Sequence, residues 1–210
     1  VDFSHNGLGS LDNAIINPIV KWHDNGAFTL EFKYQIFEKH DKDIDNSSII
    51  KANDADGSNL FFVYKIKPSM SYISVFCYQI SYKLAFNSID DTFIVSKNGQ
   101  QALNQISSST QYKHNFKFSS DISTIANSRV VRKNVIEFLL DSKLENSFIN
   151  RWGGHIIRQN FNIAMNESYS RDSKNYTIRH RKDLKGYSAE IDESTVISRI
   201  RPIGYDGLML

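Results

Sequence analysis

The chain has 210 residues, enough for one large domain or two small ones with a buried hydrophobic core. Hydrophobic residues make up 40% and charged residues 23%, while 3 prolines and 10 glycines are too few for a linker-rich or disordered chain. The 25 basic and 23 acidic residues leave a formal net charge of +2, too weak a field to recruit nucleic acid or an anionic membrane non-specifically.

Cys77 is the single cysteine, which excludes an internal disulfide and a cysteine-rich zinc site and fits a reducing place of synthesis. The longest apolar runs, such as Leu60 to Tyr64, fall far short of the roughly 20 residues of a membrane helix. No charged-then-apolar leader precedes Asp2, so neither a membrane span nor a secretion signal is expected. The start at Val1 and the stop at Leu210, straight after a strand-like stretch, lead us to expect a trimmed or partial chain.

In chain order, the first third reads as strands. Phe28, Leu30, Phe32 and Tyr34 alternate with Thr29, Glu31 and Lys33, the period of a half-buried strand. Asp24-Asn25-Gly26 before them is a turn signal, because Asn and Gly tolerate positive φ, so a hairpin from Ile15–Trp22 into Phe28–Tyr34 is predicted. Asn59 to Lys67 and Ser71 to Tyr78, joined at Pro68-Ser69, form a second pair rich in β-branched and aromatic residues. From Asn98 the character changes: residues 99–106 are good helix sequence, capped by Asn98 and stopped by Ser107-Ser108-Ser109. A second helix is predicted within Val131 to Leu144, where Val135, Phe138 and Leu139 recur at helical spacing behind the possible cap Asn134. Residues 86–150 therefore read as mixed α/β. After Trp152-Gly153-Gly154 strands return, at His155–Asn162, Asn175–Arg181, Gly186–Ile191 and Thr195–Pro202. The whole is α+β, mainly β, barrel or sandwich material with a few short helices, and it contains no fixed-period repeat.

Candidate chemistry is sparse. Asp41, Asp43 and Asp45 have the spacing of a calcium loop, but Asn46 and Ala52 stand where that loop needs Gly and Glu, so a solvated loop is the better reading. Asn53-Asp54-Ala55-Asp56-Gly57 reads as a turn between strands. His5, His23, His40, His114, His155 and His180 are too scattered for a zinc motif, and Cys77, set among aromatics in a strand, reads as a buried hydrophobe. The basic run Arg179-His180-Arg181-Lys182 reads as a solvated strand edge that discourages aggregation. No nucleophile elbow, phosphate loop or dinucleotide fingerprint occurs. No catalytic, metal or cofactor residue is therefore assigned, and no cofactor is expected.

Several segments together resemble one family, the tail-associated lysin or prophage endopeptidase tail proteins, tail-tip hub proteins of siphophages that infect Gram-positive bacteria. Asn6-Gly7-Leu8-Gly9 with Leu11, then residues 25–32, resemble its opening hairpin, and Phe62-Val63-Tyr64-Lys65-Ile66 with Tyr82-Lys83-Leu84 its next strand and short helix. More specific are Gly99-Gln100-Gln101-Ala102-Leu103, then Arg132-Lys133-Asn134, then the run from Asn146 through Phe148, Arg151 and Trp152 to Gly154. Tyr176-Thr177-Ile178-Arg179, Lys182-Asp183-Leu184 and residues 199–208 resemble its closing strands. Gln79 stands where the helix-starting motif would have a histidine, which fixes the resemblance at the family and not at a subfamily.

The resemblance implies a structural, non-enzymatic virion protein of the distal tail tip, made in the host cytoplasm. It would have two β-barrel-like hub domains, residues 1–85 and 86–195, with 196–210 a strand returning toward the first. The implied partners are two further copies in a homotrimer, the hexameric distal tail ring, and tail tube or tape measure proteins. The host cell-wall surface is a further possible partner, and sequence-specific nucleic acid is not expected. The hub would close the tail tube until genome delivery, and any lytic activity would lie in a C-terminal domain absent from this chain. Trp152 is expected to be a packing anchor, and Gly153 and Gly154 to allow close backbone approach at a bend. Two other readings stay open: a peptidoglycan-degrading endopeptidase with a site gathered from His114, His155, Asp183 and Glu190, and a carbohydrate-binding module, which needs an exposed aromatic platform.

Overall fold

The computed structural model describes residues 7–54 and 56–169. The strands expected after Asn175, the basic run at 179–182, and His5, His180, Asp183 and Glu190 lie outside the described residues. The fold class is α+β, mainly β, with a curled half-barrel sheet and short helices.

β1 (Ile15–Trp22) and β2 (Phe28–Gln35) form the predicted hairpin, with Trp22 opposite Phe28. Its turn works as the sequence implies, since Asn25 sits at φ 47° and the His23 N–H donates to Ala27 O at 2.9 Å. Phe28, Leu30, Phe32 and Tyr34 are buried, as their alternation requires. β3 (Ile49–Asp54), β4 (Gly57–Pro68) and β5 (Tyr72–Gln79) complete a five-stranded antiparallel sheet in the order β1-β2-β5-β4-β3. The expected second pair is the β4–β5 ladder, and β3 pairs with β4 down to Asp54 opposite Gly57. The ladder shifts register between Val63 and Lys65, leaving Tyr64 as an extra residue. Alternation is broken there, so Tyr64 and Lys65 are both exposed on the outer face while Val63 and Ile66 pack inward.

A 3-10 segment, Ile80–Phe86, leads into the second half: β6 (Ser88–Lys97), α1 (Gly99–Ser108), β7 (Lys117–Ser120), β8 (Ala126–Asn134), α2 (Val135–Leu140), α3 (Phe148–Arg151), β9 (His155–Gln159) and β10 (Asn162–Asn166). β6 pairs with β8, and β10 lies between β7 and β9 in a separate sheet of three. Asn98 and Asn134 both cap as expected, in boxes completed by Gln101 and Glu137.

One expectation is corrected. The single strand read at His155–Asn162 is a hairpin, because Asn160 takes φ 52° and folds β10 back on β9. The second helix lies within Val131 to Leu144, as expected. Residues 131–134 continue β8 against β6, and the helix starts only behind the Asn134 cap and ends at Asp141, whose backbone is extended.

Two hydrophobic clusters result. One is built on Phe28, Leu30, Phe32, Phe61, Val75 and Cys77 inside the curled sheet. The other gathers Leu103, Ile106, Phe138, Phe148, Trp152 and Ile156 from the helices and the smaller sheets. Both belong to one compact unit that reaches Tyr169.

Candidate functional site

Most residues that looked chemically promising are engaged in structure. Asp41 accepts from the Phe37 N–H at 2.9 Å, Asp43 meets His40 Nδ1 at 2.8 Å, and Asp45 accepts from the Ser47 N–H at 2.8 Å. The three carboxylates thus pin separate turns, and the hydrogen bonds from Ser47 and Ser48 hold the Asp45 carboxyl below its usual range. Asp54 caps the β3–β4 turn, accepting from Asp56 N and from Asn59 Nδ2, each at 2.8 Å. Cys77 is buried in the first cluster, and burial pushes its thiol up to about 12, which leaves no thiolate at neutral pH.

The scattered enzyme site receives no support from its two described members. His114 lies between Phe116 and Phe118, with ring centroids 5.9 and 5.7 Å away. Desolvation pulls its pKa below the ordinary imidazole value. His155 instead meets Asp24 at 2.7 Å beside the β1–β2 turn. No hydrogen bond or ring contact joins the two histidines among the described residues. Nor do three His, Cys, Asp or Glu side chains converge there as metal ligands.

Trp152 is an anchor. It stacks on Phe148 at 5.1 Å, meets Phe138 edge-on, and donates its indole N–H to Lys97 O at 2.9 Å. The following glycines divide the work of the bend. Gly153 needs only its φ of 78°, whereas a Cβ on Gly154, at φ 88°, would come within 2.6 Å of Ile122 Cδ1 and 2.7 Å of Asn166 O.

Sequence reasoning missed the polar seam between the two clusters. Asn25, read only as a turn residue, places its side chain like a strand edge: Nδ2 donates to Gly154 O and Oδ1 accepts from the Ile156 N–H, both at 2.8 Å. Arg158 is buried, donates from Nη2 to Gly26 O at 2.5 Å, and lies over the rings of Phe28 and Tyr82. Its Nε and Nη1 have no partner, and burial works against its charge. Asn59 accepts from the Asn160 N–H at 2.8 Å, and Gln79 donates to Asn160 O at 3.0 Å while accepting from Ser81 N at 2.7 Å. Gln79, noted for not being histidine, therefore starts the 3-10 segment and ties it to the β9–β10 turn. Only residue types were visible in sequence; the 129 positions between Asn25 and Gly154 hid the pairing.

What the molecule presents outward is unusual in two places. Among the described residues, β1 and β3 are edges of the five-stranded sheet, and in the two-stranded β6–β8 ribbon β8 is an edge while β6 bridges to Thr110 at Ile89. That ribbon exposes Phe93 at 63%, with Val95 and Val131 beside it. On the outer face of β4–β5, Tyr64 is 41% exposed, stacks on Tyr78 at 4.2 Å and stands 6.5 Å from Phe76. Burial beneath its neighbours, and the Tyr78 phenol beside it, push the Tyr64 phenol above its ordinary value. Lysine ammonium groups surround these rings.

No protein-family model and no curated protein matches the chain. The crystal structure of prophage tail protein gp18 from Listeria monocytogenes EGD-e has a similar fold, with a TM-score of 0.59 at 19% sequence identity. The likeness covers 90% of this chain and 56% of that one, so the chain spans little more than half the length of the protein it matches.

Proposed function

We propose that this chain is a structural component of a phage tail, specifically the N-terminal hub module of the distal tip, which assembles as a trimer on the hexameric tail ring and closes the tube until genome delivery. The observation that carries the reading is the fold it shares with a prophage tail protein over 90% of its length. The surfaces support it. The β6–β8 ribbon turns Phe93, Val95 and Val131 outward, and pairing with another chain would cover this apolar face and the edge of β8. On the hub reading, residues 1–85 and 86–195 are the two domains that imitate a six-fold ring, and the tail tube, tape measure and distal ring proteins are its neighbours.

The endopeptidase reading has no observation in its favour: His114 packs between two phenylalanines and His155 is engaged by Asp24. The test is the solution mass by light scattering over a wide concentration range, with a cell-wall zymogram on the same sample. A concentration-dependent trimer that clears no wall supports the hub. A monomer at every concentration, or clearing of the wall by this chain, overturns it.

A further inference from the structure

The outer face of β4 and β5 is a basic aromatic slab. Because the bulge places Tyr64 and Lys65 on one side, Tyr64 joins Phe62, Phe76 and Tyr78 in a continuous row of ring contacts, 4.2 to 6.5 Å between centroids. Lys65 and Lys67 lie over Phe76 at 5.8 and 5.7 Å, and Lys83 lies over Phe62 at 5.7 Å. Lys33 extends the face, over Tyr72 at 4.4 Å. The acid on the outward positions of β2, β4 and β5 is Glu31, and Lys21 already pairs with it at 2.7 Å. The face is therefore locally cationic on a chain whose net charge is only +2.

From this geometry we infer that the β4–β5 face binds a wall-borne linear polymer of polyol or sugar units joined by phosphodiesters. Lysine is a compact point charge suited to phosphate oxygens, and the ammonium groups stand at several points along the slab. The intervening polyol or sugar carbons pack against ring edges and lysine methylene stems as well as ring faces, and Tyr64, 41% exposed, is the most accessible ring of the row. Single-stranded nucleic acid fits less well, since successive bases need free ring faces to stack on. Here Tyr64 and Tyr78 already stack on each other, and lysines cover Phe62, Phe76 and Tyr72.

The polymer is assigned to the cell wall on the strength of the tail reading above, so the experiment separates the two. The full chain is titrated calorimetrically with poly(glycerol phosphate), with a neutral glucan and with oligo-dT, and its mass is followed by light scattering in the same buffers. The expected result is binding of poly(glycerol phosphate) alone, weakening at least tenfold between about 50 and 200 mM salt as counterions are released. The Lys65→Glu/Lys67→Glu variant should lose at least tenfold in affinity, and Tyr64→Ala several-fold, both with unchanged thermal midpoints. Indifference to poly(glycerol phosphate), undiminished binding by the charge-reversed variant, or equal binding of the glucan or oligo-dT would overturn the inference. A trimer that ignores the polymer sinks the inference alone, whereas a monomer that binds it sinks the assembly reading alone.

Discussion

His114 packs between two phenylalanines, where desolvation favours its neutral imidazole. Its folded pKa is depressed below the unfolded reference of 6.5, so the unfolded chain binds the proton more readily. Its contribution to stability is then intact above about 6.5, the unfolded value, and is lost as pH falls through the folded value. His114→Phe should remove this component. We expect the difference in unfolding free energy between wild type and variant to be flat above pH 7 and to grow in the variant's favour toward pH 5, measured by urea denaturation. A difference independent of pH would mean that the ring titrates as it does in water. The glycines make the same point about residue type: Gly153 and Gly154 are adjacent and alike in sequence, yet the neighbours Ile122 and Asn166 make only the second one sterically irreplaceable.

At the scale of elements, both main helices begin the same way, on an asparagine that follows a strand and whose box partner lies three residues on. The strand brings the chain in extended, and the side chain satisfies a donor that the helix leaves open. Asn98→Ala and Asn134→Ala should each cost about 1 kcal/mol. For a chain of this size that is a fall of roughly 2–4 °C in thermal midpoint, and the double variant should show the sum by calorimetry. A loss from Asn134→Ala much larger than from Asn98→Ala would show that α2 depends on its cap for more than one hydrogen bond. α2 is short and ends at Asp141, so packing of Phe138 and Leu139 in the second cluster, not intrinsic propensity, sustains it. The same logic sets where α2 starts: Val130 and Val131 extend, pair with β6 and continue the ribbon, and β-branched residues favour that outcome.

For the whole molecule, the question is whether the two clusters unfold together. The seam that joins them is polar, built from Asn25, Asn59, Gln79, Arg158 and Asn160, and a lone buried guanidinium among its members is weak support for stability by itself. Its hydrogen bonds are specific, however, and breaking them strands backbone groups. Asn25→Ala would leave the Ile156 N–H and Gly154 O without their partner, a cost of about 1–3 kcal/mol. The two tryptophans report the two sides: Trp22 packs on the first cluster and Trp152 belongs to the second. Followed in Trp22→Phe and Trp152→Phe backgrounds, fluorescence should show a single denaturant midpoint, and Asn25→Ala should lower both signals together. Separate midpoints, or a shift in one signal alone, would show that the seam does not couple the clusters.

The local codes were complete in the sequence. Alternation from Phe28 to Tyr34, the turn at Asp24-Asn25-Gly26, the pairing of β4 with β5, the caps at Asn98 and Asn134, and the anchoring role of Trp152 all depend on neighbours a few residues away or on apolar character. Period, backbone tolerance and capping chemistry suffice for them. Tertiary structure decided what depends on distance and phase. It broke 155–162 into a hairpin, set the bulge that turns Tyr64 and Lys65 to the same face, and placed His114 between two phenylalanines. It also made a turn asparagine the partner of a strand 131 residues away. A one-residue slip in a ladder reverses every later side chain, and a hydrogen bond across that span leaves no periodic trace, so the outward aromatic slab and the polar seam existed only once the chain had folded.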